Sequence, residues 1–154
     1  MKTLLPFIFY GLPESFLLIS AALCLLGLKI RVSRLLIAGF CLGGVSYLAV
    51  VFLRDMGLHT AVILVALVLV LAIWFRLSIA TSVTGCFLSY FLLSIGEILI
   101  LSPIQHFIGF SNDQIASSPW ARICLGWISA GFLIIAIAAH FLWRFKLLKA
   151  PEAE

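Results

Sequence analysis

An all-α bundle of membrane-spanning helices is the fold that this sequence predicts, and three observations lead to it. The chain has 154 residues, of which 64% are hydrophobic and only 10% charged, whereas a soluble domain is roughly 45–50% apolar and about 25% charged. Its mean hydropathy is +1.27. Its apolar residues form long runs, whereas a membrane β-barrel shows short segments of alternating polarity. A water-soluble globule is excluded, because too few charged side chains exist to cover its surface.

Five apolar runs have the length of a membrane span. A helix rises 1.5 Å per residue and the hydrocarbon core is about 30 Å thick, so a span needs roughly 17–25 mostly apolar residues. The runs cover residues 4–28, 35–53, 58–75, 77–101 and 121–143. The third is the least secure, because it is short. We expect residues 1–149 to form a single bundle, and residues 150–154 to form a short tail.

The segments between the spans are short, with one exception. Residues 29–34 form a tight basic turn, residues 54–59 a turn of mixed charge, and Arg76 alone separates the third and fourth spans. Residues 102–120 are interrupted by Pro, Gly, Ser and Asn, which are typical of turns and loops. They contain an amphipathic stretch at 104–108. We predict a loop here, with a short segment that lies on the bilayer surface.

The basic residues predict the orientation of the bundle. With five spans, seven Lys and Arg residues lie on one side of the membrane and three on the other. The seven are Lys29, Arg31, Arg34, Arg76, Arg144, Lys146 and Lys149, and the three are Lys2, Arg54 and Arg122. By the positive-inside rule the larger group is cytoplasmic, so the N-terminus is predicted outside and the C-terminus inside. This dispersed charge does not predict a nucleic-acid partner, and a bacterial plasma membrane is the expected location.

Two acidic residues within the spans are the candidate functional residues. A charged group in hydrocarbon costs on the order of 2.5–3.5 kcal/mol, so it normally faces the bundle interior, a partner or a water-filled cavity. Glu14 lies in the first span and Glu97 near the end of the fourth, so both are predicted in the outer half of the bilayer. Arg54 and His59 lie in the turn on the same side. We predict that these four residues form an outer polar cluster that binds a peptide or a small cationic ligand.

A structural role for the same residues is the alternative. Glu97 would then pair with Arg54 or His59. Glu14 would be in the first turn of a helix that begins near Pro13, where a carboxylate interacts favourably with the helix dipole.

Small residues spaced four apart predict close contacts between helices. Gly39 and Gly43 form a G-x-x-x-G pattern in the second span, and Gly126 and Ala130 repeat the spacing in the fifth. Such spacing lets helix backbones approach closely in lipid. We expect these residues to act in packing within this bundle.

The sequence does not predict an enzyme, a cofactor or a metal site. The H-E-x-x-H pattern, a Walker loop and a Ser nucleophile with a His base are absent. The four cysteines fall within or at the edge of the spans without a C-x-x-C pair, so neither a disulfide framework nor a zinc site is expected.

Several short motifs resemble those of a known type of membrane domain. They are Leu-Pro-Glu at 12–14, the basic turn at 29–34, Gly-Leu-His-Thr at 57–60, and Glu97 late in the fourth span. In this order they resemble the multi-span N-terminal sensor region of Gram-positive histidine kinases of the AgrC and related kinds. In that family the membrane region detects an extracellular signal and passes it to a cytoplasmic kinase. Only five residues follow Lys149, so the resemblance implies a separate protein partner.

Three classes of function follow from these observations. The first is a membrane sensor or regulatory subunit that binds an extracellular signal at the outer polar cluster and acts through a partner. The second is a small transporter, or a transporter subunit, in which Glu14 and Glu97 bind substrate or protons. The third is a structural subunit of a membrane complex, for which the small-residue faces are the functional surface.

Overall fold

The computed structural model describes residues 4–28, 31–53, 58–108 and 118–143 of the chain. Within these residues the fold is entirely helical, which confirms the predicted all-α membrane bundle. The helices are α1 (Leu4–Leu25), α2 (Val32–Leu53), α3 (His59–Trp74), α4 (Ile79–Ile108) and α5 (Pro119–Trp143). Four of them are long and apolar enough to cross a bilayer, and α3, with 16 residues, is shorter.

Helix α1 lies at the centre of the bundle. It packs against α2, α4 and α5, while α2, α3, α4 and α5 follow one another around it, each packed on the next. Residues 18–26 are all buried. This run covers more than two helical turns, so every face of α1 is covered by protein here and none is left for lipid.

Helix α1 ends in a turn that requires glycine. Gly27 has φ 71°, a left-handed conformation that glycine adopts without a steric penalty. Its N–H donates to the carbonyl of Cys24, and the N–H of Leu28 donates to the carbonyl of Leu23, both at 2.9 Å. This pair of bonds is the Schellman motif, which satisfies the last carbonyls of a helix.

The turn between α3 and α4 is short, but four residues, 75–78, separate the two helices where the sequence predicted Arg76 alone. Arg76 adopts φ 55°, which reverses the chain after α3. Ser78 then caps α4, because its Oγ accepts a hydrogen bond of 3.2 Å from the backbone N–H of Thr81.

Helix α4 continues beyond the predicted end of the fourth span. The sequence predicts that this span ends at residue 101 and that a separate surface segment lies at 104–108, whereas α4 continues through Pro103 to Ile108. Proline removes one helical hydrogen bond but does not always end a helix. At 30 residues α4 is about 45 Å long, so its last turns extend past a hydrocarbon core of about 30 Å. Residues 109–117 of the predicted loop lie outside the described residues.

The paired glycines of α2 face the central helix. A Cβ atom built on Gly39 would overlap the ring of Phe16, and one built on Gly43 would lie 3.2 Å from Cδ1 of Leu12. Gly44, by contrast, has nothing within 4 Å of such an atom. The spacing of Gly39 and Gly43 therefore places both on the α1 side of α2.

The small residues of α5 pack in a similar way, and α4 adds a closer contact. Gly126 lies against the ring of Tyr10 of α1, and Ala130 is completely buried. A Cβ atom built on Gly96 of α4 would lie only 2.5 Å from the backbone oxygen of Ser129. Gly96, which is not part of the predicted small-residue pattern, is therefore a point where the backbones of α4 and α5 approach closely.

Candidate functional site: a cavity around Glu14

An irregular turn precedes the candidate site, and Pro13 explains it. Proline has no backbone N–H, and its ring clashes with the carbonyl of the residue four positions earlier, which is Phe9. Residues Phe7–Gly11 form a π turn, in which the N–H of Leu12 donates to the carbonyl of Phe7. Such single π turns widen a helix locally and are frequent at functional sites.

A side chain of α5 donates a hydrogen bond to the backbone carbonyl that Pro13, which has no N–H, leaves without its helical donor. Nε1 of Trp127 donates a hydrogen bond of 2.9 Å to the backbone oxygen of Phe9. On the preceding residue of α5, Gly126 leaves room for the ring of Tyr10. The π turn is therefore held against α5 by one hydrogen bond and one ring contact.

Replacing Trp127 by phenylalanine is expected to loosen this attachment. The variant keeps an aromatic ring but loses the N–H donor, so the bundle should lose about 1 kcal/mol of stability. Thermal unfolding of the purified protein, followed by circular dichroism, measures the change. Trp120→Phe is the matched control, because Trp120 is more exposed and makes no hydrogen bond to α1 within the described residues. Equal losses in the two variants would contradict a role for the indole N–H.

Glu14 lies midway along the central helix. It is the eleventh of the 22 residues of the candidate span Leu4–Leu25. The hydroxyl of Tyr10 donates a hydrogen bond of 3.0 Å to Oε1 of Glu14. The regular α-helical part of α1, Leu12–Leu25, has Glu14 in its first turn and Pro13 at its start, as the structural alternative predicts. It continues the π turn Phe7–Gly11, however, and Gly11 is itself helical, with φ −61° and ψ −37°, so the N-terminus of α1 is not at Pro13.

Glu14 lines a partly enclosed cavity of about 150 Å³ between α1, α2, α3 and α4. Helix α1 supplies most of the lining, and the other three helices close it. The lining residues are Pro6, Phe7, Tyr10, Gly11, Glu14, Ser15, Leu18, Ser46, Tyr47, Val50, Ile63 and Tyr90. A mostly apolar cavity with a few convergent polar groups is typical of a small-molecule site.

All three tyrosines of the chain line this cavity. They come from different helices, Tyr10 from α1, Tyr47 from α2 and Tyr90 from α4. The rings of Phe7 and Tyr47 pack at a centroid distance of 4.7 Å, tilted by 46°. The cavity thus has four aromatic rings and one acidic group, and no Lys, Arg or His among its lining residues.

Glu97, the second predicted ligand residue, lies outside the cavity. It is exposed on the surface of the bundle and does not line the space around Glu14. The two acidic residues are nevertheless close in depth: Tyr10 packs at Gly126 and Gly96 packs at Ser129, one turn further along α5. Glu97 also interacts electrostatically with Glu14, Tyr10 and Tyr90. The expected shared pocket is therefore replaced by a cavity with Glu14 alone, with Glu97 on the adjoining surface.

The other two predicted ligand residues have different outcomes. Arg54 lies outside the described residues. His59 is at the start of α3, where its Nε2 lies 3.4 Å from Oγ1 of Thr60. Nδ1 of His59 is buried and has no hydrogen bond to any residue that the structure describes. A pairing of His59 with Glu97 is absent from the described part of the chain, and His59 is not among the residues that line the cavity.

The tyrosines are the residues that sequence reasoning missed. In membrane proteins tyrosine is enriched at the two membrane–water interfaces, where its hydroxyl meets water. Each of the three lies inside a predicted span instead, at least six residues from either end. That departure is the signal that could have identified them together with Glu14.

Comparisons with models of known protein families, with curated proteins and with solved structures find no match to this chain. The resemblance to the membrane regions of sensor kinases therefore stays a prediction.

Proposed function

We propose that this chain is a membrane sensor or regulatory subunit whose signal molecule binds in the cavity around Glu14. One observation carries the proposal: an acidic side chain in the middle of the central helix lines a cavity and has no basic partner there. An ionisable residue within a span usually serves a function, because a purely structural acid would be paired or absent. The volume of about 150 Å³ suits a benzene-sized group. It is too small for a folded peptide, so a small ligand is the better candidate.

The contacts of α1 support a route by which binding could be transmitted. The ring of Tyr10 touches both the cavity and Gly126 of α5, and the adjacent carbonyl of Phe9 is bound by Trp127. A ligand that displaces Tyr10 from Glu14 would therefore shift α5 relative to α1. A ligand can shift this equilibrium only by the difference in its affinity for the two arrangements.

The exposed position of Glu97 supports a protein partner at this face of α4. Within the described residues Glu97 has neither a hydrogen bond nor an ion pair, and its neighbour Ile98 is 67% exposed. An acidic group facing acyl chains is costly. We infer that a partner helix with a basic or hydroxyl side chain covers it in the assembled membrane.

A transporter, or a structural subunit of a larger complex, is the second candidate. The position of Glu14 midway along the candidate span Leu4–Leu25 favours the transporter among these two, since transport sites commonly lie near the bilayer midplane. The candidate functions differ in whether the chain carries a flux of protons or cations, and in whether that flux or the binding of a partner requires Glu14 or Glu97.

Modification by a hydrophobic carbodiimide tests the cavity itself. The reagent partitions into lipid and forms a stable adduct with accessible carboxyl groups, which mass spectrometry locates. Glu14 should be modified in the purified full chain, and modification should fall when Leu18 at the cavity wall is enlarged to phenylalanine. A Glu14 that is inert in the folded protein and reacts only after unfolding would contradict a ligand-accessible cavity.

Reconstitution and co-purification separate the three functional classes. For a sensor, we expect no proton or cation flux in proteoliposomes. The partner protein should co-purify with the natural chain but not with Glu97→Gln. It should also co-purify with Glu14→Gln, but this variant should no longer regulate it. Flux that Glu14→Gln abolishes would establish the transporter instead. A stoichiometric partner whose function is unchanged by both variants would establish the structural subunit.

A further inference from the structure

The lining of the Glu14 cavity restricts the charge of its occupant. The single ionisable acid among the lining residues is Glu14, and no basic side chain accompanies it there. An anion would be repelled by Glu14 at close range. A neutral apolar molecule would leave the acidic group without a second partner in a low-dielectric site, where an unpaired polar group is costly. A cation is the ligand that the charge favours.

The same lining argues against a metal ion. Hard cations such as Ca²⁺ take six to eight oxygen ligands, several of them carboxylates or free carbonyls. The described residues contain no cluster of three or more His, Cys, Asp or Glu side chains. Most backbone carbonyls of the cavity walls are engaged in helical hydrogen bonds. One carboxyl group and a few hydroxyls do not make such a shell.

The aromatic rings favour a cation with an alkylated nitrogen. The negative faces of Phe, Tyr and Trp rings attract such groups, and a cage of several rings with an acid is the usual arrangement for quaternary ammonium ligands. Four rings line this cavity, from Phe7, Tyr10, Tyr47 and Tyr90. Tyr10 also fixes the carboxyl of Glu14 through its 3.0 Å hydrogen bond. The cavity therefore offers both the charge and the apolar, polarisable wall that a methylated ammonium group needs.

We propose that the Glu14 cavity binds a small organic cation, an ammonium group bearing several alkyl substituents, with Glu14 as its counter-charge and the four rings as its cage. This proposal rests on the proposed function, since it names the class of ligand for the same site. The three helices that contribute rings, α1, α2 and α4, would then be drawn together by one bound molecule.

Isothermal titration calorimetry on the full chain in lipid nanodiscs tests the proposal. The probes are choline, its uncharged isostere in which a tert-butyl group replaces the trimethylammonium group, and potassium ion. Choline should bind with a stoichiometry of one per chain. The isostere should bind at least about a hundredfold more weakly, because it lacks the charge. Potassium should not displace choline. The substitution Glu14→Gln should weaken the binding of choline by a similar factor.

Substitutions of Tyr47 separate the ring from the hydroxyl. Tyr47→Phe should keep the affinity for choline within about threefold, whereas Tyr47→Leu should lower it about tenfold through loss of the aromatic face. Phe87→Leu is the control, because Phe87 is 70% exposed and does not line this cavity. Circular dichroism confirms that each variant is folded.

The proposal is overturned if the isostere binds as tightly as choline, if potassium displaces choline, or if Tyr47→Leu binds choline unchanged. It is also overturned if choline does not bind. In that case carbodiimide modification of Glu14 still tests whether the cavity is accessible to a ligand. The effect of Glu14→Gln on regulation of the partner still tests the signalling role. A wrong ligand class is thereby distinguished from a wrong function.

Discussion

Gly96→Ala is expected to destabilise the bundle by about 1–3 kcal/mol. The added Cβ would lie 2.5 Å from the backbone oxygen of Ser129 and 2.9 Å from Cδ2 of Phe132. A flexible side chain could move aside, but a helix backbone cannot, so α4 and α5 must separate. Alanine ordinarily stabilises a helix by up to about 1 kcal/mol relative to glycine, which makes a net loss diagnostic of the contact.

Gly44→Ala is the matched control for this experiment. Nothing lies within 4 Å of a Cβ built at Gly44, so the variant should show only the helix-propensity gain. Thermal unfolding of both proteins in the same detergent measures the difference, which should be about 2–4 kcal/mol in total. If Gly96→Ala were as stable as Gly44→Ala, the close approach of α4 and α5 would be refuted.

Glu14→Leu is expected to separate stability from function. Leucine removes the cost of an acidic group in the span, on the order of 2.5–3.5 kcal/mol for a charged side chain, and loses one hydrogen bond from Tyr10 worth about 1 kcal/mol. The variant should therefore be at least as stable as the natural chain. It should bind no choline, and the carbodiimide adduct at position 14 should be lost.

Glu97→Leu serves as the comparison for Glu14→Leu. Because Glu97 is exposed and does not line the cavity, its replacement should leave choline binding intact. The same replacement should weaken the binding of the partner protein. A Glu14→Leu protein that loses helicity or aggregates, with Glu97→Leu unaffected, would show that Glu14 is needed to fold the bundle. Residues retained at a cost in stability are expected at functional sites.

Hydropathy and charge were sufficient to predict the class of fold and most helix limits. The predicted second span, 35–53, and third span, 58–75, agree with α2 and α3 within three residues at each end. The agreement has a simple cause, since transfer from water to hydrocarbon decides where a span begins and ends. The fourth span, predicted at 77–101, also agrees with the apolar stretch Ile79–Leu99. What hydropathy did not predict is that the helix itself continues through Pro103 to Ile108.

The arrangement of the helices could not be predicted in the same way. In lipid, a face that packs on a neighbour and a face that meets acyl chains are both apolar, so hydropathy does not distinguish them. The central position of α1 and the outward position of Glu97 follow from contacts between helices rather than from any one helix. The small residues Gly39, Gly43 and Gly126 lie where side chains of α1 pack, and Ala130 is buried, but their spacing did not indicate which helix each would meet.

The central position of α1 has a consequence for the biogenesis of the protein. Of the five helices, α1 leaves the ribosome and enters the translocon first, yet its partners α4 and α5 are synthesised last. Until they arrive, the buried stretch 18–26 and Glu14 meet lipid or the insertion machinery instead of protein. Chains truncated after α3 should therefore be prime substrates for membrane proteases, and completion of α5 should be the step that protects the whole molecule.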